Sequence, residues 1–238
     1  MSTREATMPR VAVITGAAGN LGRAIAETFA AAGYSLALLD VDVMKLEEAY
    51  GDDSRSHAAW AADLTDRGQV QAVIDACLER YGQIDVLCNA AGGFSCGPLV
   101  HETDRAEWEH LFSLNVRTMM EASHAVVPLM LERKRGSIVN VGASSALRGI
   151  AGMGPYTAAK SAVIRLTEAM SAELRDSNIN VNCVLPSILD TPENRKAMPG
   201  ADPARWVHPQ ALAAVMLFLA SDAASPIHGV SLPVTGTV

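Results

Sequence analysis

Short runs of apolar residues alternate along this chain with longer segments in which apolar side chains recur every three or four positions. The short runs predict strands with both faces buried, and the longer segments predict helices with an apolar face. The predicted strands lie at residues 11–15, 35–40, 57–63, 84–90, 136–141, 179–185 and 230–234. The predicted helices lie at residues 21–33, 66–81, 105–131, 155–176 and 209–221.

This alternation is typical of α/β proteins, in which helices cover both faces of a parallel sheet. We predict a single doubly wound, Rossmann-type domain over residues 10–238, with a parallel sheet of about seven strands and helices on both faces. Residues 1–9 are polar and are predicted to form a loose tail. Residues 187–208, rich in Pro, Asp and Arg, are the one long irregular stretch, and we predict that this lid segment covers a substrate.

Composition and charge narrow the classes of protein to consider. Apolar residues make up 49% of the 238 residues and charged residues 19%, which supplies a large core and argues against disorder. The net charge of −7 argues against a nucleic-acid partner. No apolar stretch reaches the roughly 18 residues of a membrane span, and the polar N-terminus lacks the apolar region of a secretory signal.

The cysteines and histidines lack the spacing of metal ligands. None of the four cysteines belongs to a C-x-x-C pair, and the six histidines share no regular spacing. A chain of this size does not need disulfides, so reduced cysteines fit a cytoplasmic protein. We therefore predict a cytoplasmic location and no metal site.

The stretch TGAAGNLG at residues 15–22 joins the first predicted strand to the first predicted helix. Small residues let the backbone approach a pyrophosphate, and a helix N-terminus favours its negative charge. We predict that a nucleotide binds at this turn. The predicted contacts are Gly16, Gly19, Asn20, Leu21 and Gly22. The alternative is a tight strand–helix turn without a ligand.

Asp40 ends the second predicted strand, where a carboxylate can accept hydrogen bonds from the ribose hydroxyls of adenosine. The same carboxylate would repel a 2′-phosphate, and Lys45 is the first basic residue that follows it. We therefore predict NAD rather than NADP as the cofactor. The alternative is that Asp40 serves only as a turn residue before the next helix.

Tyr156 and Lys160 are four positions apart in a predicted helix, so their side chains share one face. A lysine ammonium beside a phenol favours the phenolate, and we expect it to lower the pKa of Tyr156 from the usual value of about 10. Such a tyrosine can give or take a proton at a carbonyl or alcohol oxygen. We interpret Tyr156 as the acid/base of a hydride transfer, while Lys160 tunes it and holds the nicotinamide ribose.

The turn and the Tyr156/Lys160 pair together resemble the T-G-x-x-x-G-x-G and Y-x-x-x-K motifs of the short-chain dehydrogenase/reductase family, and the resemblance spans residues 10–238. Asn20 stands at the middle glycine of the first motif, and Asn tolerates left-handed backbone angles better than most residues. The resemblance implies an oxidoreductase that forms a homodimer or homotetramer. The long helices at 105–131 and 155–176 fit this, because they are apolar beyond one face.

The resemblance also implies further cofactor contacts on the adenosine side. Asp63 and the backbone N–H of Leu64 would meet the adenine. Ala91 and Gly92, in the stretch NAAG, would leave room for the ribose, whereas Asn89 would brace the sheet. For Asp63 the alternative is a helix N-cap, a role that the residues following it suit better.

On the nicotinamide side, the resemblance implies that Asn115 carries a water chain that relays protons to the lysine. Leu189, by its backbone, and Thr191 would contact the nicotinamide carboxamide. An asparagine inside an apolar helix could instead bond to the helix backbone for purely structural reasons.

The serine that polarises the substrate in this family corresponds to Ala143, and Ser144 and Ser145 follow immediately. If the segment is extended, a shift of one residue turns the side chain to the other face. Either Ser144 takes over this role in a shifted loop, or the substrate does not need the donor. The second alternative has support, because residues 143–209 resemble the dihydropteridine reductase branch of the family, which also has Ala at this position.

These interpretations converge on an NAD(H)-dependent oxidoreductase that moves hydride between the nicotinamide and a small carbonyl, alcohol or imine-type substrate. Within enzymes, the alternatives are a reductase of quinonoid dihydropterins and a 3-oxoacyl-thioester reductase. Outside enzymes, the alternative is an NAD-sensing protein that has lost catalysis.

Overall fold

A computed structural model describes residues 8–238. Of the predicted tail at residues 1–9, the first seven residues lie outside the described part, and the side chain of Met8 is exposed. Between residues 8 and 238, no helix has both the length and the apolar character needed to cross a membrane.

Seven parallel strands form a single sheet in the order β3-β2-β1-β4-β5-β6-β7, which confirms the predicted fold class. The strands are β1 (Val11–Thr15), β2 (Ser35–Asp40), β3 (His57–Ala61), β4 (Val86–Asn89), β5 (Gly136–Val141), β6 (Ile179–Pro186) and β7 (Ser231–Val234). The strand order reverses between β1 and β4, and ligands of open α/β sheets bind at such a switch point, outside the carboxyl ends of the strands.

Within residues 8–238, eight α-helices connect the strands. They are α1 (Asn20–Ala31), α2 (Val43–Tyr50), α3 (Arg67–Tyr81), α4 (Arg105–Phe112), α5 (Thr118–Arg133), α6 (Gly154–Leu174), α7 (Pro192–Ala197) and α8 (Pro209–Leu219). On one face of the sheet, α1 packs beside α8 over a core that includes Phe29, Leu38 and Met216. On the other face, α3 and α5 cover a second core that includes Ile74 and Ile138.

The lid segment is more regular than predicted. Thr191 is the N-cap of α7, since its hydroxyl accepts a hydrogen bond from the N–H of Asn194, and Pro192 occupies the first turn. The N–H of Asp190 donates to the carbonyl of Val207, which ties the two ends of the segment together. The segment therefore contains a short helix, α7, that the sequence did not predict.

Two more helical features differ from the sequence prediction. Helix α2 was missed because Leu46 is its single buried residue, which leaves little apolar periodicity. The helix predicted at 105–131 is interrupted by a π-helical turn at Ser113–Arg117, between α4 and α5. Such turns are frequent at functional sites, and this one contains Asn115.

Candidate active site

A cleft with a volume of about 1040 Å³ opens at the carboxyl ends of the strands. Every residue predicted to bind the cofactor or to act in catalysis lines this cleft, except Asn115. Asn115 is 2% exposed and lies behind the cleft wall. The fold thus brings together residues from both ends of the chain.

The glycine-rich turn is packed so closely that two of its glycines have no room for a side chain. Gly16 has a φ of +65°, and a Cβ there would lie 2.8 Å from the Cα of Ala91. A Cβ on Gly22 would overlap the carbonyl oxygen of Gly16. Gly19 precedes the first residue of α1 and offers no side-chain cap, so the first N–H groups of the helix stay available to a ligand.

Three side chains outside the turn hold its backbone. The hydroxyl of Tyr50 donates to the carbonyl of Ala17 at 2.6 Å, and the Nε of Arg23 donates to the carbonyl of Ala18 at 2.9 Å. The Oδ2 of Asp40 accepts from the N–H of Ala18 at 3.0 Å. Tyr50 was missed at the sequence level because it lies at the end of α2, which was also missed.

Asp40 makes the turn contact that the sequence offered as one alternative, and it also lies where the other alternative requires it. Its Oδ1 accepts from the N–H of Asp42 at 3.2 Å, which is a turn interaction before α2. The residue also lines the cleft beside the glycine-rich turn. The N-cap of α2 is Asp42 itself, since its side chain accepts from the N–H of Lys45.

On the adenosine side, Asp63 is exposed and Leu64 is buried. The carboxylate of Asp63 accepts from both the N–H and the hydroxyl of Thr65. The N-cap of α3 is Asp66, whose side chain accepts two backbone N–H bonds. The alternative interpretation of Asp63 as a helix cap is therefore wrong.

The NAAG stretch, which begins at the last residue of β4, is anchored by hydrogen bonds to the neighbouring strands β1 and β5. The hydroxyl of Thr15 accepts from the N–H groups of Ala90 and Ala91, each at 3.1 Å. The Nδ2 of Asn89 donates to the Oδ1 of Asn140 at 2.9 Å, which braces adjacent strands as predicted.

Gly92 lies where two predicted catalytic side chains come together. A Cβ on this residue would be 2.8 Å from the Oδ1 of Asn115 and 3.2 Å from the Nζ of Lys160. Glycine at this position therefore leaves room for both side chains as well as for a ligand.

Asn115 is fixed by the π-helical turn and by the loop that follows β4. Its Nδ2 donates to the carbonyls of Leu111 and Gly93, and its Oδ1 accepts from the N–H of Gly93 at 3.2 Å. The bond to the carbonyl of Leu111 is the helix-backbone contact that the structural interpretation predicted, and the catalytic interpretation stays a prediction. Its hydrogen bond to the helix backbone orients the side chain toward the site.

Tyr156 and Lys160 lie on successive turns of α6, as predicted, and both face the cleft. The Nζ of Lys160 donates to the carbonyl of Val141 at 2.8 Å. Burial lowers the pKa of Lys160 to about 8 and raises the pKa of Tyr156 to about 12. The expected lowering of the tyrosine pKa by the lysine is thus not seen, and loss of hydration on burial is the cause of the raised pKa of Tyr156.

The segment with the missing serine is not extended beyond Ala143. Ala143 has extended backbone angles and is 5% exposed, and a 3₁₀ turn begins at Ser144 and ends at Leu147. The alternation of faces that an extended strand would impose therefore ends at this point. Ser144 and Ser145 both line the cleft.

The lid segment is tied to the glycine-rich turn. The Nδ2 of Asn20 donates to the Oε2 of Glu193 at 2.8 Å. Within the segment, the guanidinium of Arg195 pairs with Asp190, and the Nδ2 of Asn194 donates to the carbonyl of Leu189. Asn20, which stands at the middle glycine of the family motif, thus bonds to Glu193 of α7.

Four apolar residues that line the cleft were missed at the sequence level: Phe94, Ile150, Met153 and Met198. The ring of Phe94 makes an edge contact with the ring of Tyr156, with centroids 5.0 Å apart. No local pattern could have identified these residues, since they belong to three separate segments without strong periodicity.

In the described part of the chain, no three His, Cys, Asp or Glu side chains are grouped so that they could hold a metal ion. Three of the four cysteines are buried and unpaired, and Cys96 is exposed.

Residues 10–201 match the family model of short chain dehydrogenases. This protein belongs to the short-chain dehydrogenase/reductase family. A curated relative of this short-chain dehydrogenase is the 3-oxoacyl-(acyl-carrier-protein) reductase of Thermotoga maritima, which is 32% identical over 95% of this chain and 96% of the relative. Another is the 2-(R)-hydroxypropyl-CoM dehydrogenase of Xanthobacter autotrophicus, which is 34% identical over 96% of this chain and 98% of the relative.

Solved structures of short-chain dehydrogenases also superpose on this chain. An NAD⁺-bound xylitol dehydrogenase matches with a TM-score of 0.87 and 27% identity, covering 97% of this chain and 99% of the other. The predicted family is confirmed, and the protein is an oxidoreductase of that family. These relatives carry the names of three different substrates, so the substrate has to be argued from the cleft itself.

Proposed function

We propose that this short-chain dehydrogenase transfers hydride between NAD(H) and a small carbonyl, alcohol or imine-type substrate, with Tyr156 as the acid/base. The observation that carries the proposal is one cleft that holds Tyr156 and Lys160 at one end and the glycine-rich turn with Asp40 at the other. When bound, the cofactor supplies or accepts the hydride. The side chains of this protein then have to bind and orient the substrate and the cofactor. They also have to move a proton.

The glycine-rich turn fits the pyrophosphate of a dinucleotide. The close packing at Gly16 and Gly22 brings the backbone to the cleft surface without side chains in between. The first N–H groups of α1 favour negative charge at this point. Asn20 and Leu21 begin this helix, and Gly19 immediately precedes them.

NAD rather than NADP is the cofactor that the adenosine end favours. The carboxylate of Asp40 lies at the turn and would accept from the ribose hydroxyls, while its charge would repel a 2′-phosphate. Lys45 also lines the cleft, but its ammonium pairs with Asp42 at 3.2 Å. Asp63 and the N–H of Leu64 would contact the adenine.

At the other end of the cofactor, Ala91 and Gly92 would face the ribose, to which Lys160 would donate. The backbone of Leu189 and the side chain of Thr191 would hold the nicotinamide carboxamide. Both belong to the lid segment, which we propose covers the bound substrate. Packing of the lid segment over the cleft would exclude water from the reacting atoms.

Tyr156 would give its proton to the substrate oxygen during reduction and take it back during oxidation. The raised pKa of Tyr156, about 12 as a result of burial, keeps the phenol protonated at neutral pH and suits the direction of reduction. Lys160 and Asn115 meet around Gly92, and this supports a path by which water returns a proton to the tyrosine. Ser144 would donate a hydrogen bond to the substrate oxygen.

Two alternative substrates have specific support. The relative from Thermotoga maritima favours a 3-oxoacyl thioester. The presence of buried Ala143 in place of a serine favours a quinonoid dihydropterin, because an imine-type acceptor does not need a hydroxyl donor at a ketone oxygen.

We also propose that the protein is cytoplasmic and forms a homo-oligomer through the helices that follow β4. Phe112, Met120 and Leu131 leave more than a third of their surface exposed on this helical stretch, which fits burial against a second copy of this chain.

The experiment follows NADH oxidation at 340 nm, the absorbance of the reduced nicotinamide, with a ketone, a 3-oxoacyl thioester and a quinonoid dihydropterin, and repeats each assay with NADPH. We expect turnover with at least one of the three and a preference for NADH. Binding of NADH without turnover of any substrate would favour the sensing function over catalysis.

A further inference from the structure

The substrate end of the cleft has an apolar wall around the acid/base residue. Phe94 lies on the irregular stretch after β4, Ile150 and Met153 precede α6, and Met198 follows α7. All four line the cleft that also holds Tyr156, and Phe94 contacts the ring of Tyr156 directly. Three separate segments thus contribute apolar side chains to the lining of the cleft.

Phe94 does little for the stability of the fold. Its side chain is 63% exposed, although large aromatic residues are usually well covered. Its ring meets the ring of Tyr156 edge-on, with an angle of 79° between the two planes. A ring held at the mouth of a cleft, against the acid/base residue, is available to contact the body of a substrate.

Apart from Lys160, the charged side chains of the cleft lie at its nucleotide end. Asp40, Lys45 and Asp63 belong to the nucleotide end, and Lys160 is buried with its ammonium bonded to the carbonyl of Val141. The basic residues of the lid segment do not line the cleft, and one of them, Arg195, already pairs with Asp190.

From this distribution we infer that the substrate carries an uncharged, apolar body next to its reacting carbonyl or imine, and that Phe94 selects for that body. A carboxylate on the substrate would lose water against the apolar wall without gaining a partner of opposite charge. An apolar body would cover the exposed ring of Phe94. This inference rests on the proposed hydride transfer and adds a substrate class to it.

The first experiment compares two ketones of matched shape, methyl isoamyl ketone and levulinate, in the NADH oxidation assay. The two molecules differ in whether a branched alkyl group or a carboxylate occupies the far end. We expect kcat/KM for the neutral ketone to exceed that for levulinate by about tenfold or more. The reason is that burying a carboxylate without a partner of opposite charge weakens binding by at least about this factor. Equal or better use of levulinate would overturn the inference.

The second experiment removes the ring. Phe94→Ala is expected to lower kcat/KM for benzylacetone by about tenfold, while the value for acetone changes by less than about twofold. Phe94→Leu should recover most of the loss, because it restores apolar surface. Phe218→Ala is the matched control, since Phe218 is also exposed but lies on α8, outside the cleft.

The outcomes separate the two proposals. If the wild-type protein reduces no ketone in this panel and no thioester or dihydropterin, the proposed function fails and the substrate class falls with it. If the wild-type protein reduces ketones but Phe94→Ala affects acetone and benzylacetone equally, the selection by Phe94 is wrong and the proposed function stands. The Kd for NADH, unchanged in Phe94→Ala, shows that the variant is folded.

Discussion

The two halves of the cleft differ in how their residues are held. At the nucleotide half, Tyr50, Arg23 and Asp40 bond directly to the backbone of the glycine-rich turn. At the substrate half, Phe94 and Met153 contribute apolar surface from segments outside the sheet. The glycine-rich turn is preorganised by hydrogen bonds, whereas the apolar surface that faces the substrate is formed by packing.

This difference fits a family in which relatives of similar fold carry the names of different substrates. A pyrophosphate requires fixed N–H groups, so its site tolerates little displacement. An apolar wall discriminates by size and by charge, and changes of single side chains are enough to alter it. The two halves should therefore respond differently to substitution.

The largest effect among the binding residues is expected at the substrate half, for Ser144. If its hydroxyl polarises a ketone, Ser144→Ala should reduce kcat by roughly 10²- to 10³-fold. Ser145→Ala is the matched control, because this neighbouring hydroxyl also lines the cleft. An equal and small effect of both substitutions would show that the substrate does not need the donor.

At the nucleotide half, Asp40→Asn keeps the size of the side chain and removes its charge. We expect the preference for NADH over NADPH to fall by about 10- to 100-fold, since hydrogen bonds to charged groups contribute about 1.5–3 kcal/mol and repulsion of the 2′-phosphate is lost. Asp75→Asn is the control, because Asp75 is exposed on α3 and does not line the cleft. A preference for NADH that survives Asp40→Asn would contradict the assignment.

Lys160 is buried in the wall of the cleft. Burial of its ammonium group should lower the free energy of unfolding of the cofactor-free protein. A pKa lowered from 10.5 to about 8 corresponds to about 3 kcal/mol of lost unfolding free energy. The folded state binds fewer protons than the unfolded state between these two values, so this cost is complete below pH 8 and disappears as the pH rises toward 10.5.

Lys160→Met should therefore be more stable than the wild type at pH 7, and the difference should shrink as the pH rises above 8. Urea unfolding at several pH values measures it, with the exposed Lys45→Met as the control. A variant that is less stable than the wild type at pH 7 would show that the hydrogen bond to Val141 outweighs the cost of burial.

The smallest effect is expected where the two halves meet, at the hydrogen bond between Asn20 and Glu193. Asn20→Gly restores the glycine of the family motif and should speed dissociation of NADH by about two- to fivefold, because exposed polar pairs contribute up to about 1 kcal/mol. Glu193→Ala should speed the dissociation of NADH by the same factor. The double variant Asn20→Gly/Glu193→Ala should release NADH no faster than either single variant. Stopped-flow measurement of NADH release tests this, with Lys196→Ala as the control.

The sequence was sufficient where signals are local. Seven apolar runs predicted the parallel sheet, and TGAAGNLG followed by a helical pattern predicted the turn at β1. Tyr156 and Lys160 lie within one helix, so their proximity follows from helical geometry alone.

The rest depends on contacts between distant segments. The π-helical turn at Asn115 coincides with bonds to Gly93, which is 22 residues away. The contact of Asn20 with Glu193 joins residues 173 positions apart. The pKa of Tyr156 follows burial in the folded protein, which spacing along the helix cannot reveal.

Tyr156→Phe gives the most direct test of the proposed chemistry. Single-turnover hydride transfer from saturating NADH to a ketone, or to the acceptor found in the substrate assays, isolates the chemical step from release of products. We predict that the variant binds NADH with a Kd close to that of the wild type and transfers hydride about 10²- to 10⁴-fold more slowly. Hydride transfer at the wild-type rate in Tyr156→Phe would contradict the assignment of this phenol as the acid/base.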